Sequence, residues 1–155
     1  MGIDPGLAKT GYGVIEQKNG ATRHLGHGCI VTSGDGKSPG ERLLEIYAEM
    51  NRLLPKFLPD ELAIEQLFFS KNVTSAMHVS EVRGVILLAA TQHRIPVTEY
   101  TPNQVKQAVT GSGKADKRQM QEMIARLLRL DSVPKPDDAA DGLCIALCHI
   151  NMARY

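Results

Sequence analysis

Four acidic residues stand where carboxylates can do more than face water. Asp4 follows Ile3 and precedes Pro5-Gly6, at the end of an opening strand. Glu65 closes the apolar run Leu62-Ala63-Ile64. Asp138 and Asp141 are three apart near the start of the last helix, so both project from one face. Each alone has an ordinary explanation: a turn, a solvated strand end, or an acid that favours a helix N-terminus. Asp137, beside them, is the candidate N-cap. Asp141 is the least easily dismissed, because helical spacing puts Cys144, Ile145 and Cys148 on its own face. Taken together, convergent carboxylates repel one another unless cations join them. An all-oxygen set favours Mg²⁺ or Mn²⁺ over zinc. Two such ions roughly 4 Å apart can align a water and a leaving oxygen for phosphodiester hydrolysis.

The elements that must position these acids follow from pattern. Residues 10–17 and 22–32 read as two strands around the hairpin signal Asn19-Gly20. Residues 33–40 read as a loop. Helical spacing over 41–54 carries Leu43, Leu44, Tyr47, Met50, Leu53 and Leu54, and Pro55 and Pro59 are expected to close that helix. A long helix is expected over 73–93, with Val82, Val85, Ile86 and Ala89 on its apolar face. Gly84 in its middle points to a close helix–helix approach. A short strand over 96–100 follows, then helices near 103–110 and 116–130, and a last one over 137–154. Met50, Met77, Met120 and Met123 read as core or near-core filler. A β-meander followed by alternating helix and strand defines an α/β layered domain with a mixed sheet. Strand ends such as Asp4 and Glu65 are natural site positions in such a fold. A length of 155 residues allows one domain, 1–155.

The total of 18 basic and 17 acidic residues gives a net charge of +1, which alone argues against a polyanionic partner. That total averages over a segregated pattern. Between Asn103 and Leu130 stand Lys106, Lys114, Lys117, Arg118, Arg126 and Arg129, against only Asp116 and Glu122. Such a segment, with the flexible basic loop Gly111-Ser112-Gly113-Lys114, can neutralise phosphates by releasing counterions. Its ordinary alternative is a solvated helix face. The three cysteines have no framework spacing, so a reducing, cytoplasmic setting is expected. Cys144 and Cys148 read as small buried thiols. The histidines read as scattered, without metal spacing, and no apolar run approaches the ~18 residues of a spanning helix.

Four blocks in register resemble the RuvC family of Holliday-junction resolvases across nearly the whole chain. They are Gly2-Ile3-Asp4-Pro5-Gly6 with Thr10-Gly11-Tyr12-Gly13-Val14, then Ala63-Ile64-Glu65-Gln66-Leu67-Phe68-Phe69, Gln104-Val105-Lys106-Gln107-Ala108-Val109, and Asp138-Ala139-Ala140-Asp141-Gly142-Leu143. The resemblance implies an RNase H-like fold, a five-stranded mixed sheet flanked by helices. It implies that Asp4, Glu65, Asp138 and Asp141 are catalytic acids holding two Mg²⁺ ions, with Mn²⁺ substituting. It implies DNA contacts by Lys106 and Lys117, within the basic stretch that also holds Lys114 and Arg118. Phe68 matches an aromatic position at the junction centre, where an exposed ring can wedge against unpaired bases. The 73–93 helix matches the family's dimer-forming helix, and a branch-migration complex of the RuvA and RuvB type is the implied partner. The implied activity is paired symmetric nicking of a four-way junction in recombination and repair, leaving 5′-phosphate and 3′-hydroxyl ends. The family pattern carries a few apolar residues before Gly2 and extends past the last helix. Their absence here shortens the first strand and weakens that edge. Three other readings remain open on the residues: a nuclease of RNA–DNA hybrids, a small actin-like ATPase using Asp4-Pro5-Gly6 as a phosphate turn, and a non-catalytic junction-binding module.

Overall fold

The computed structural model describes residues 1–67 and 73–153. The elements run β1 (Gly2–Asp4), β2 (Lys9–Lys18), β3 (Ala21–Val31), α1 (Pro39–Phe57), β4 (Leu62–Glu65), α2 (Val73–Gln92), β5 (Val97–Tyr100), α3 (Pro102–Thr110), α4 (Lys117–Leu127) and α5 (Asp137–Met152). The five strands form one sheet in the order β3-β2-β1-β4-β5. β1–β2 and β2–β3 are antiparallel, and β1–β4 and β4–β5 are parallel. The expected mixed sheet is therefore present. The three-residue β1, however, is the central strand and not an edge, so both neighbours bond to it.

Two apolar layers cover the sheet. On one face Ile3, Val14, Ile64 and Leu62 pack against α1 and α2 through Ile46, Met50, Leu53, Leu54, Val82 and Ile86. On the other, Ile15, Ala63 and Tyr100 pack against α3, α4 and α5. From Ala139 to His149 the last helix is buried at every position except Asp141. It lies on the sheet at backbone distance, because the facing positions are glycines. A Cβ on Gly11 would fall 1.8 Å from the Asp138 carbonyl oxygen, and one on Gly13 would fall 2.4 Å from the Leu143 nitrogen. At Gly84 nothing described lies within 4 Å of a Cβ built there, so no helix of this chain makes the expected close approach at that position.

Several boundaries differ from those read from the sequence. α1 begins at Pro39, since Ser38 and Glu41 form a capping box with proline at the first helical position. It also runs through Pro55, which sits in the last turn, where a missing N–H removes one ladder bond and little else. Leu58, at φ 46°, ends it. Leu44 faces solvent, and Ile46 takes the core position. α4 stops at Leu127, because Arg129 turns to φ 52° while Leu130 N–H returns to the Ala125 carbonyl. The N-cap of α5 is Pro136, and Asp137 is its first helical residue.

α2 is long and apolar enough, by length and composition, to cross a membrane, contrary to the expectation from continuous runs. It is instead a layer of the fold, with Val82, Ile86, Ala89 and Ala90 packed in the core and Arg83 buried among polar partners. Its outer stripe leaves Val73, Met77 and Leu88 exposed, so Met77 is not core.

Candidate active site

The ends of β1 and β4 lie side by side, because Gly2 stands opposite Ala63 and Ile3 opposite Ile64. Asp4 and Glu65 are the next residues of each strand and leave the sheet together. Thr10 holds the turn behind Asp4: its hydroxyl donates to the Gly6 carbonyl at 2.8 Å, and it is fully buried. The glycine contacts of β2 then set the start of α5 over the same end, which brings Asp141 into the site and leaves Asp138 beside it, close enough to act on Asp4 but outside the cavity lining.

A cavity of about 310 Å³ opens there, lined by Asp4, Glu65, Lys106, Lys117, Asp141 and Cys144. Its electrostatics are those of crowded like charges. Burial, with Asp141, Glu65 and Asp138 adding, pushes the Asp4 carboxyl up to about 8. Burial and Asp141 raise Glu65, against the pull of Lys106. Asp141 is raised by burial although Lys117 opposes the shift. Lys117 Nζ lies 3.3 Å from Asp141 and 3.8 Å from Asp137. Burial alone would lower its ammonium, but Asp141, Asp137 and Asp138 outweigh that and raise it.

Among the described residues no three acidic, histidine or cysteine side chains close into a metal cage. The cation contact at Asp141 is made by Lys117 instead. The donor set nevertheless fits a hard divalent ion: it is all oxygen, half-buried, and carries repulsion that a cation would relieve.

The basic residues divide. Lys106 and Lys117 line the acid cavity. Lys114 is exposed on the loop beside a larger groove of about 750 Å³, which runs along α3 past Asn103, Gln107 and Asn151 and holds no acid. Of these two cavities, the smaller is the one where acids and lysines converge. Arg118 points outward, 86% exposed, and pairs with Glu122 at 2.8 Å. Phe68 lies outside the described residues.

Sequence reading missed three arrangements. Arg83 is buried and donates to the Glu65 carbonyl. His24 and His27 are not scattered: a register shift opposite Val14 and Ile15 puts their ring nitrogens 2.8 Å apart. Tyr100, His149 and Glu61 form a hydrogen-bonded chain: Glu61 and His149 lie toward the opposite end of β4, and the Tyr100 hydroxyl reaches His149 from the residue paired with Glu65.

A five-stranded mixed sheet with this helical cover and acids at adjoining strand ends is the RNase H-like fold. A model of the family described as crossover junction endodeoxyribonuclease RuvC matches residues 1–149. The RuvC of Pseudothermotoga lettingae is 50% identical over 149 residues, covering 96% of this chain and 91% of that one. The RuvC of Finegoldia magna is 49% identical over 155 residues, covering 100% and 94%. The solved structure of T. thermophilus RuvC in complex with Holliday junction substrate matches with a TM-score of 0.92 at 37% identity, over 99% of this chain and 93% of that one. The yeast mitochondrial resolvase Ydc2, at 15% identity and a TM-score of 0.66, shares the fold. The chain belongs to the RuvC family of crossover junction endodeoxyribonucleases.

Proposed function

We propose that this protein is a homodimeric, Mg²⁺-dependent endonuclease that resolves four-way DNA junctions by paired symmetric nicks, leaving 5′-phosphate and 3′-hydroxyl ends. Family membership makes it a metal-dependent nuclease. The observation that carries the finer reading is the buried acid cavity with Lys106 and Lys117 on its rim. We take residues 1–155 as one nuclease domain working in the cytoplasm, with Mn²⁺ able to substitute. A branch-migration complex of the RuvA and RuvB type is its proposed partner.

Asp4, Glu65, Asp138 and Asp141 would hold the metal. When bound, divalent ions supply Lewis-acid activation and charge neutralisation for phosphodiester hydrolysis. The chain's own groups do the rest. Glu65 and Asp4 are fixed by the sheet, so a scissile phosphate meets carboxylates that need no rearrangement. Lys117 offsets the acid charge and, on exchange for cations, is freed to contact a phosphate. Lys106 faces Glu65 from α3 and contacts the same strand. Lys114 and Arg118 extend the basic surface along an arm, and Phe68 is assigned to the junction centre from its sequence position. The exposed stripe Val73, Met77, Gly84 and Leu88 on α2 supports a two-fold dimer, since a helix face of this kind fits its own copy. Two sites related by a two-fold axis match two strands of a two-fold junction.

A labelled mobile four-way junction and an RNA–DNA hybrid duplex, each incubated with protein and Mg²⁺, test the proposal. The expected result is paired nicks in the junction only, in ligatable form. Preferential cleavage of the hybrid would overturn it, and so would binding without any metal-dependent cut.

A further inference from the structure

The main-chain carbonyl of Glu65 stands where the sheet runs out of donors. In the β1–β4 pairing the Ala63 N–H donates to the Met1 carbonyl at 2.8 Å, with Gly2 opposite Ala63. A parallel ladder repeats at even, slanted spacing. Carried two residues further, it assigns the Glu65 carbonyl to the amide of residue 5. That residue is Pro5, which has no N–H. A backbone acceptor shielded from water needs another donor.

Arg83 supplies it. From α2, Nη1 donates to the Glu65 carbonyl, and Nη2 donates to Glu99 Oε1 at 2.7 Å. The residue is only 8% exposed. A buried guanidinium is tolerated only when its donors are met, and here a planar fork meets one carbonyl of β4 and one carboxylate of β5. The Gln66 N–H, the other polar group of the same peptide unit, donates to the Tyr100 carbonyl at 2.7 Å, so both polar groups of the Glu65–Gln66 peptide are held. We propose that Arg83 is a positioning residue for the active site: it replaces the ladder bond that Pro5 removes and fixes the backbone from which the Glu65 carboxylate projects. The proposal rests on Glu65 being a site acid, as proposed above.

The test compares Arg83→Gln, Arg83→Lys and Glu65→Gln in the full chain. For Arg83→Gln, junction affinity is expected to stay within twofold of the wild type. Mn²⁺ binding to the DNA-free protein, read by electron paramagnetic resonance, is expected to weaken by about 10-fold, the scale of losing an outer-shell support. Cleavage at saturating Mg²⁺ falls, and hydrogen exchange of the Gln66 amide speeds up. Arg83→Lys keeps one donor and falls between the two; if Arg83→Gln does not fold, Arg83→Lys carries the same readouts. A folded Arg83 variant with wild-type Mn²⁺ affinity, cleavage and Gln66 exchange would overturn the proposal. A lowered melting temperature with Mn²⁺ affinity and cleavage per folded molecule unchanged would also overturn it. Wild-type cleavage by Glu65→Gln would instead overturn the assignment of Glu65 itself, whatever Arg83 does.

Discussion

Along β4 and α5 stand two polar clusters, one around Glu61 and His149 with the Tyr100 hydroxyl reaching in from β5 and one around Glu65 and Asp141, and they are built on opposite principles. At one end Glu61, just before β4, accepts from His149 Nε2, while the Tyr100 hydroxyl lies 2.9 Å from His149 Nδ1. A carboxylate can only accept, so Nε2 carries the hydrogen toward Glu61, while the Tyr100 hydroxyl, which can donate or accept, pairs with Nδ1. At the other end Glu65 and Asp141, two turns of α5 away from His149, join Asp4 in a pocket of acceptors with Lys117 as the near cation, and Asp138 adds its charge from outside the lining. The satisfied cluster fastens the fold. The frustrated one is tolerated because the fold is strong enough elsewhere, and its unmet charge is what a cation or a phosphate-borne metal would complete. Substitutions at the two ends should therefore fail in opposite ways.

The largest effect is expected at the frustrated end. Asp141→Asn keeps the shape and the basic rim but removes one of the proposed metal donors. Cleavage should fall by more than about 100-fold, beyond the range for outer-shell changes. Junction binding, measured in Ca²⁺ or without metal, should persist. Cleavage near the wild-type rate would remove Asp141 from the site.

Stability should move the other way at the same end. The Asp4 carboxyl is held up to about 8, against an ordinary value of 3.8. Between those values the folded state holds a proton that the unfolded chain has released. The contribution of Asp4 to metal-free stability then falls as pH rises from about 4 to about 8. Asp4→Asn removes the titration. At pH 8 without metal it should be more stable than the wild type by on the order of 3 kcal/mol, while being inactive. Thermal melts of both proteins across that pH range check it; parallel curves would show that Asp4 does not carry the strain.

His149→Ala should produce the reverse pattern. It leaves the buried Tyr100 hydroxyl without its ring partner and opens a void, so stability should drop by about 2 kcal/mol. Cleavage per folded molecule should stay at the wild-type level. A selective loss of rate with an unchanged melt would mean that the two ends are coupled.

How much of this was readable from sequence follows the same division. The acids were legible because each ends a strand or opens a helix, and local pattern marks those positions. The hairpin was legible because Asn19-Gly20 takes positive φ at both residues. The satisfied cluster was not, because Tyr100 and His149 are 49 residues apart and His149 and Glu61 are 88 apart, and no periodicity links them. Arg83 was hidden for a related reason. It sits in an apolar helix, and its role depends on a donor that Pro5 lacks on a different strand. Gly84 was read correctly as unusual, but the close contacts that glycines permit in this fold are between α5 and β2.

The smallest expected effect concerns Lys117, which the comparison makes double-edged. In the metal-free protein it holds Asp141 at 3.3 Å, and its own charge is stabilised there. If it also serves DNA, it must leave the acids when cations arrive and turn to a phosphate. Lys117→Ala should then weaken junction binding only a few-fold, and lower the salt-dependence slope by about one. Because the acids lose their counter-charge, the same variant should become more sensitive to pH in metal-free melts, in the direction set by Asp4. A Lys117 that only neutralises acids predicts the change in pH response with an unaltered salt slope. One that only binds DNA predicts the reverse. Measuring both on one variant decides whether this lysine belongs to the acid cluster, to the basic surface, or to the exchange between them.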